Sequence, residues 1–366
     1  MVVVCLPMKI LNKYIFRQFA KAFVFSSIAF VCLFVLVNMV EKLGEFMDKN
    51  LSLWDIVCDY ALSIPSIILV ISPVSALLSS ILVAGRLSFS GELPAIRSAG
   101  ISMRQLLVPF FAGGMIILAL NILNAWWISP ASVTEKSAFE QRSFKNNPAA
   151  LQENSNIHIL EPGRRMVSIG SINPDCSILS SVSIEEFNGT RLISRTDTDT
   201  MRYDQKKSEW MMQNASTRFF TRGGEAFHFD PVKSLKLALS PHSLAELNLQ
   251  PDEMNIIRHY QYLSKKQRAG FSGLERSMVK FHNKIALPFA SLIIILIGVP
   301  LSAKKKRGGL ASEISVTLFV GFLFLGVQKT SAIAGDQGMI NPMLAAWLPN
   351  ILFLGIGYAI YKTAID

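Results

Sequence analysis

The stretch Ser88–Leu106, SFSGELPAIRSAGISMRQL, is a short polar segment between two long apolar runs. One run ends near Ala84 and the next begins near Ser102, so these residues are too few and too polar to cross a bilayer and must lie at one of its faces. Ser90 or Glu92 is placed to cap a helix start, Pro94 falls in the first turn where its missing N–H costs nothing, and Gly100 suits a helix end. Ser102 and Gln105 stand at capping-box spacing and open the next helix, which sets a bend between the two. Leu93, Ile96 and Arg97 share one face, and the carboxylate of Glu92 projects from the amino end. The pattern predicts a helix at about 90–100 shaped as a docking peg; an amphipathic interfacial connector is the competing reading.

Outward from this stretch, six apolar runs are long enough to span: about Tyr14 to Val40, Ile56 to Ala84, Arg104 to Ile128, Ile285 to Leu301, Ile314 to Ala334 and Met343 to Tyr361. Across 366 residues the chain is 51% apolar and only 17% charged, which excludes an ordinary soluble protein and makes it an integral membrane protein. The formal charge of +10 sits beside the apolar runs, so it reads as membrane orientation and not as a nucleic-acid surface. Arg86, Arg97 and Arg104 follow the second span, Lys304, Lys305, Lys306 and Arg307 the fourth, and Lys362 the sixth, whereas Glu41, Glu45, Asp48, Asp55 and Asp336 mark the opposite loops. Positive charge collects on the cytoplasmic side, so both termini are expected inside and the long hydrophilic stretch outside. Trp126 and Trp127 close the third span as interfacial aromatics.

That stretch, 131–277, separates spans in 1–130 from spans in 278–366. It begins and ends with helical pieces, Ser132–Lys145 and Asn255–Ala269; the second carries Ile256, Ile257, Tyr260 and Leu263 on one side. Between them the pattern has period two in eight runs: 156–160, 165–169, 181–187, 190–194, 200–203, 209–213, 217–221 and 225–229, several divided by turns such as Glu161-Pro162-Gly163, Asn188-Gly189 and Gly223-Gly224. Seven or eight short strands predict a sandwich, jelly roll or open barrel.

No phosphate-binding G-x-x-x-x-G-K-[ST], no H-E-x-x-H and no G-x-S-x-G occurs, and His158, His228, His242, His259 and His282 are scattered without ligand spacing. The cysteines Cys5, Cys32, Cys58 and Cys176 form no metal motif, and only Cys176 lies in the hydrophilic stretch, so no internal disulfide framework is expected there. No catalytic group and no cofactor is assigned. Met8 is an alternative start, with the first span an uncleaved anchor.

Three segments together resemble the LptF/LptG permease family: GELPAIRSAGISMRQ at Gly91–Gln105, LNKYIFR at Leu11–Arg17, and KFHNKIALPFASLIIILIGVPLS at Lys280–Ser302. The resemblance implies an α-helical membrane protein with six transmembrane helices plus an extracytoplasmic all-β, jelly-roll-like domain. It implies a non-catalytic ABC transporter permease in the bacterial inner membrane that extracts lipopolysaccharide and passes it through the periplasmic β domain toward the outer membrane. The implied partners are a cytoplasmic LptB-like ATPase dimer, a paralogous LptF/LptG-type subunit, LptC-like and LptA-like bridge components and lipopolysaccharide; no nucleic acid is implied.

Coupling to the ATPase is expected at Glu92, Leu93, Ile96, Arg97 and Gly100. Lipid contact is expected at Lys42, Lys284 and Lys329, with Asn38 and Gln328 beside them, because ammonium groups at the outer ends of spans match lipid phosphates. G-type members carry several lysines at the outer end of the first span; here only Lys42 stands there. Aromatic residues Phe187, Trp210, Phe219, Phe220, Phe227 and Phe229 are expected in part to line a lipid groove. Two other function classes compete: a mechanotransmission or lipoprotein-release ABC subunit without a lipopolysaccharide substrate, and a membrane-bound enzyme. The large domain after the third of six spans argues against the former, and the missing catalytic constellation against the latter.

Overall fold

The computed structural model describes residues 5–48, 52–144, 157–161, 165–173, 177–189, 191–205, 207, 209–221, 224–237, 239–241, 250–268, 273–303 and 309–365. The basic run Lys304–Arg307, Cys176, Pro162-Gly163 and Gly223 lie outside them. The chain divides into two compact units, one of Met1–Phe139 with Pro251–Asp366 and one of Glu140–Gln250.

The first unit is helical: α1 (Cys5–Glu41), α2 (Leu43–Asp48), α3 (Leu53–Phe89), α4 (Glu92–Ser98), α5 (Met103–Leu123), a π-helical turn (Asn124–Ile128), α6 (Ser129–Phe144), α7 (Ile256–Arg268), α8 (Glu275–Ala303), α9 (Gly309–Asp336) and α10 (Pro342–Ile365). α6 runs on into the second unit. Six spans emerge, in α1, α3, α5 continued through the π turn, α8, α9 and α10. α3 has 37 residues, roughly 55 Å of helix against about 30 Å of hydrocarbon, so its ends reach beyond the membrane core. α3 is also the most enclosed span and α1 the most exposed. Around α3 the apolar core collects Ile15 and Phe19 from α1, Leu77 and Ile81 from α3, Phe110 from α5, Ile294 and Ile295 from α8, Phe324 from α9 and Phe353 from α10.

Inside this apolar packing several polar groups are paired. Asn121 Nδ2 donates to Ser72 Oγ at 2.7 Å and to Ser291 Oγ at 3.1 Å, and the two hydroxyls lie 3.1 Å apart, so α3, α5 and α8 share one buried hydrogen-bonded triangle. Two prolines are matched in the same way. Pro349 supplies no N–H to the carbonyl of Ala345, and Ser331 Oγ of α9 donates there at 2.6 Å. Pro288 leaves the carbonyl of Lys284 in the same state, and Trp126 Nε1 donates to it at 3.2 Å.

In the second unit, β1 (Ile157–Glu161), β2 (Arg165–Ile172), β3 (Ile178–Asn188), β4 (Arg191–Asp204), β5 (Glu209–Thr221) and β6 (Gly224–Leu235) form one antiparallel sheet in chain order. The fold class is therefore six membrane-spanning helices with an all-β unit between the third and fourth. Its described strands number six, longer than the eight runs predicted from period two: 190–194 and 200–203 are one strand, as are 209–213 and 217–221.

The cause is a crease. Buried positions alternate along each strand and then skip to a spacing of three, at Ile169 to Ile172, Leu179 to Val182, Thr198 to Met201 and Met212 to Ala215. The skipped pairs oppose one another in register, Ser171 with Ser180, Ser180 with Thr200, Thr200 with Gln213. Two of the skipped residues, Ser181 (φ 55°) and Asn214 (φ 56°), are left-handed. Gly170 faces Ser181, where an added Cβ would lie 2.8 Å from that residue's Cβ. All four strands thus change pleat at one row and keep one buried face, which holds Val167, Leu179, Val182, Met201, Trp210 and Met212.

Candidate functional site

α3 ends at Phe89 with Ser90 as its C-cap, and Gly91 (φ 78°) turns directly into α4. Ser90 therefore closes the earlier helix, and the N-cap of α4 is Gly91 without a side-chain bond, in place of the expected Ser90 or Glu92; a left-handed corner one residue long is open to glycine at little cost. The far end follows the sequence: Gly100 (φ 84°) donates its N–H to the carbonyl of Arg97 at 3.0 Å, and Ile101 to that of Ile96 at 3.4 Å. Ser102 and Gln105 make the reciprocal capping box that opens α5.

The five predicted coupling residues do not share one surface. Leu93 is 2% exposed and belongs to the core with Leu87, Met103 and Leu106, so it anchors α4 to the spans. Burying a leucine side chain contributes about 1.5–3 kcal/mol. Arg97 and Gly100 are exposed, and Ile96 is half-buried. The carboxylate of Glu92 accepts from Ser90 Oγ at 3.1 Å and from Tyr14 Oη of α1 at 3.4 Å, so α4 touches the first span as well as the second and third. Phe89 is 83% exposed beside Glu92 and was not singled out from sequence; its signal was an aromatic at the helix corner that no apolar stripe explains.

At the opposite ends of the spans, the predicted cations have different surroundings. Lys284 Nζ donates to the carbonyls of Met254 and of Pro251, the latter at 2.9 Å, where the chain returns to the helical unit. Lys280, one turn earlier, pairs with Asp252, and Ser137 Oγ of α6 donates to Glu253 Oε1 at 2.7 Å. Asn38 accepts from Tyr60 Oη at 3.2 Å, and the Tyr60 ring meets Phe46 edge-on. Lys42 and Gln328 are half-buried, and Lys329 is exposed; Lys329 has no hydrogen bond or ion pair among the described residues. Close by the Lys284 clamp, His259 of α7 is fully buried, with Nε2 2.9 Å from Ser277 Oγ. Burial, reinforced by the charge of Lys284, lowers its pKa from the ordinary 6.5 to about 4, so the ring is neutral.

In the β unit the aromatic set divides. Trp210 is fully buried, donates to the carbonyl of Leu239 at 2.6 Å and meets Tyr203 edge-on, so it is core. Phe187 and Phe220 are half-buried. Phe227 and Phe229 on β6 are 66% and 51% exposed, and Phe219 on β5 is 41% exposed. Among the described residues no group of three His, Cys, Asp or Glu side chains could hold a metal ion.

The sequence model of the family described as lipopolysaccharide export system permease LptF/LptG matches residues 13–363. The lipopolysaccharide export system permease protein LptG of Haemophilus influenzae is 22% identical over 350 residues, which cover 94% of this chain and 96% of that protein. The corresponding LptF of Escherichia coli strain K12 is 19% identical over 352 residues, 95% of this chain and 93% of that protein.

Proposed function

We infer that this chain, which belongs to the LptF/LptG family of lipopolysaccharide export permeases, is the membrane-spanning half of an exporter that draws lipopolysaccharide out of the inner membrane and hands it through its β unit to a bridge toward the outer membrane. The observation that carries this reading is the family match over 13–363 on a chain with six spans and one β sheet between the third and fourth. The lipoprotein-release alternative is not favoured. A permease subunit of this kind does no chemistry itself; the energy comes from a partner ABC ATPase, and a paralogous subunit completes the membrane path.

In this reading α4 is the coupling element, with Glu92, Arg97, Ile96 and Phe89 toward the ATPase. Leu93 and the Tyr14–Glu92 bond support it, because they tie α4 to the core and to α1, so a push on α4 reaches three spans. The basic residues Arg86, Arg97 and Arg104 favour the cytoplasm for this end, which puts the β unit in the periplasm, where LptC-like and LptA-like components would receive the lipid. Lys329, Lys42 and Gln328 are the lipid-facing candidates, and the exposed Phe219, Phe227 and Phe229 supply apolar surface for acyl chains. Lys284 and Asn38 act there by holding the outer ends of the spans in place.

Affinity purification of the full-length chain from native membranes in mild detergent tests this. The expected co-purifying species are an ABC ATPase, a second permease of the same family and lipopolysaccharide. Recovery of the ATPase with lipoproteins and without lipopolysaccharide would overturn the reading.

A further inference from the structure

The helix α7 lies against the first two turns of α8: His259 meets Ser277, and both His259 and Tyr260 pack near the Phe281 ring at 5.4 and 6.2 Å. The apolar run of this span begins at about Ile285. Phe281 is therefore roughly 6 Å, and Ser277 roughly 12 Å, above the hydrocarbon edge at 1.5 Å per residue. The headgroup zone on each side of a bilayer is about 5–8 Å deep, so the Phe281 contact falls within it and the Ser277 contact just above it, and α7 meets the span at the boundary between headgroups and water.

Round the axis of α7 the side chains fall into three sectors. His259 and Leu263 are buried on the bundle. About 100–160° further round, at 100° per residue, stand Tyr260, Ser264 and Ile257, of which Tyr260 is 63% and Ile257 58% exposed. Beyond them come Gln261, Lys265 and Arg258, all exposed. Leu263, Ile256, Tyr260 and Ile257 thus follow one another over about 120° of the helix, the single apolar side expected from sequence, buried at its Leu263 edge and exposed at its Ile257 edge. Leu263 and Ile256 turn toward the bundle, Tyr260 borders it with its ring beside Phe281, and Ile257 turns away from it.

We infer that α7 is an interfacial helix that seats Ile257 and Tyr260 in the outer leaflet of the membrane and presents Arg258 and Lys265 to anionic lipid headgroups. Three features select a lipid surface over a protein partner. The apolar sector lies next to the bundle-facing sector, as it must in a helix lying flat beside a span. Its aromatic member is tyrosine, which suits one apolar and one wet end. Basic side chains flank it on the water side. The clamp from Lys284 and Lys280 to residues 251–254, just before the helix, holds it at this depth. This inference does not depend on which lipid is exported.

The test uses the full-length chain with Cys5, Cys32, Cys58 and Cys176 replaced by serine, reconstituted in nanodiscs of phosphatidylethanolamine and phosphatidylglycerol. Spin labels are placed one at a time through Ile257→Cys, Tyr260→Cys, Gln261→Cys and Lys265→Cys. Membrane-dissolved oxygen is expected to relax the labels at 257 and 260 several-fold more than a water-soluble nickel chelate does, with the reverse order at 261 and 265. Equal access of the nickel chelate to all four sites would overturn the inference, as would labels at 257 and 260 shielded from both reagents, the signature of a protein partner on this face. Should Ile257→Cys disturb folding, the Tyr260 and Lys265 pair carries the same contrast.

Discussion

The indole Nε1 of Trp126 donates to the backbone carbonyl of Lys284 at 3.2 Å, the carbonyl that Pro288 leaves without its helical donor. One residue thus meets the cost of a proline in a span and fixes the third span to the fourth. Trp126→Phe keeps the ring and removes the donor, and it is expected to cost about 1 kcal/mol. With Pro288→Ala the helix regains its own N–H, so the same change should then cost less. Thermal unfolding of the four proteins in one detergent checks this; equal losses in both backgrounds would mean that the indole acts by packing alone.

Leu93 and Phe89 lie four residues apart and have opposite burial. Leu93→Ala is expected to destabilise by about 2–4 kcal/mol, as a truncation in a filled core. Phe89→Ala and Glu92→Gln should leave the melting temperature nearly unchanged and lower the recovery of ATPase in pull-downs several-fold. Unchanged ATPase recovery with both variants would remove α4 as the coupling element.

The two outer lysines should separate in the same way. Lys284→Met strips donors from the carbonyls of Pro251 and Met254 and is expected to cost about 1–3 kcal/mol. Lys329→Glu should leave stability within about 0.5 kcal/mol, as an exposed change, and reduce co-purified lipopolysaccharide. Lipid content unchanged in Lys329→Glu would assign that lysine to interfacial anchoring.

His259 gives a pH dependence of definite sign. Its folded pKa of about 4 lies below the ordinary 6.5, so between these values the unfolded chain binds a proton that the folded chain refuses. Stability from this group is complete above about pH 6.5 and is lost as pH falls toward 4, by roughly 3 kcal/mol in all. His259→Asn should flatten the fall in melting temperature over that window. A slope identical to that of the parent protein would show that other groups carry it.

The crease makes a prediction for the β unit. Asn214 is left-handed, and its Nδ2 donates to Asp199 Oδ2 of β4 at 3.1 Å. Asn214→Gly should be nearly neutral, since glycine adopts this backbone freely, whereas Asn214→Val should cost about 1–2 kcal/mol. Equal stability of the two variants would mean that the strand relaxes out of the left-handed form.

Much of this architecture was legible in the residues. Six apolar runs of spanning length admit few arrangements, because a backbone in hydrocarbon must satisfy its own hydrogen bonds as helix. The bend after α4 was equally local: Gly100, Ser102 and Gln105 cap helices through bonds a few residues long, and these were found as the spacing predicted. Period two disclosed the strands but divided β4 and β5, since a crease shifts the alternation by one residue and looks in sequence like a strand end.

What the tertiary structure alone decided is which residue of a type does which task. Lys284 and Lys329 are both lysines at span ends, yet one holds two carbonyls of the returning chain and the other is exposed, because only the first has the 251–254 segment folded over it. Trp126 finds Lys284 and Ser331 finds Ala345 because packing sets those helices side by side, 158 and 14 residues apart along the chain. Local periodicity fixes the face of a helix relative to its neighbours in sequence; the partner that covers that face is chosen by packing among distant segments, and no single segment encodes it.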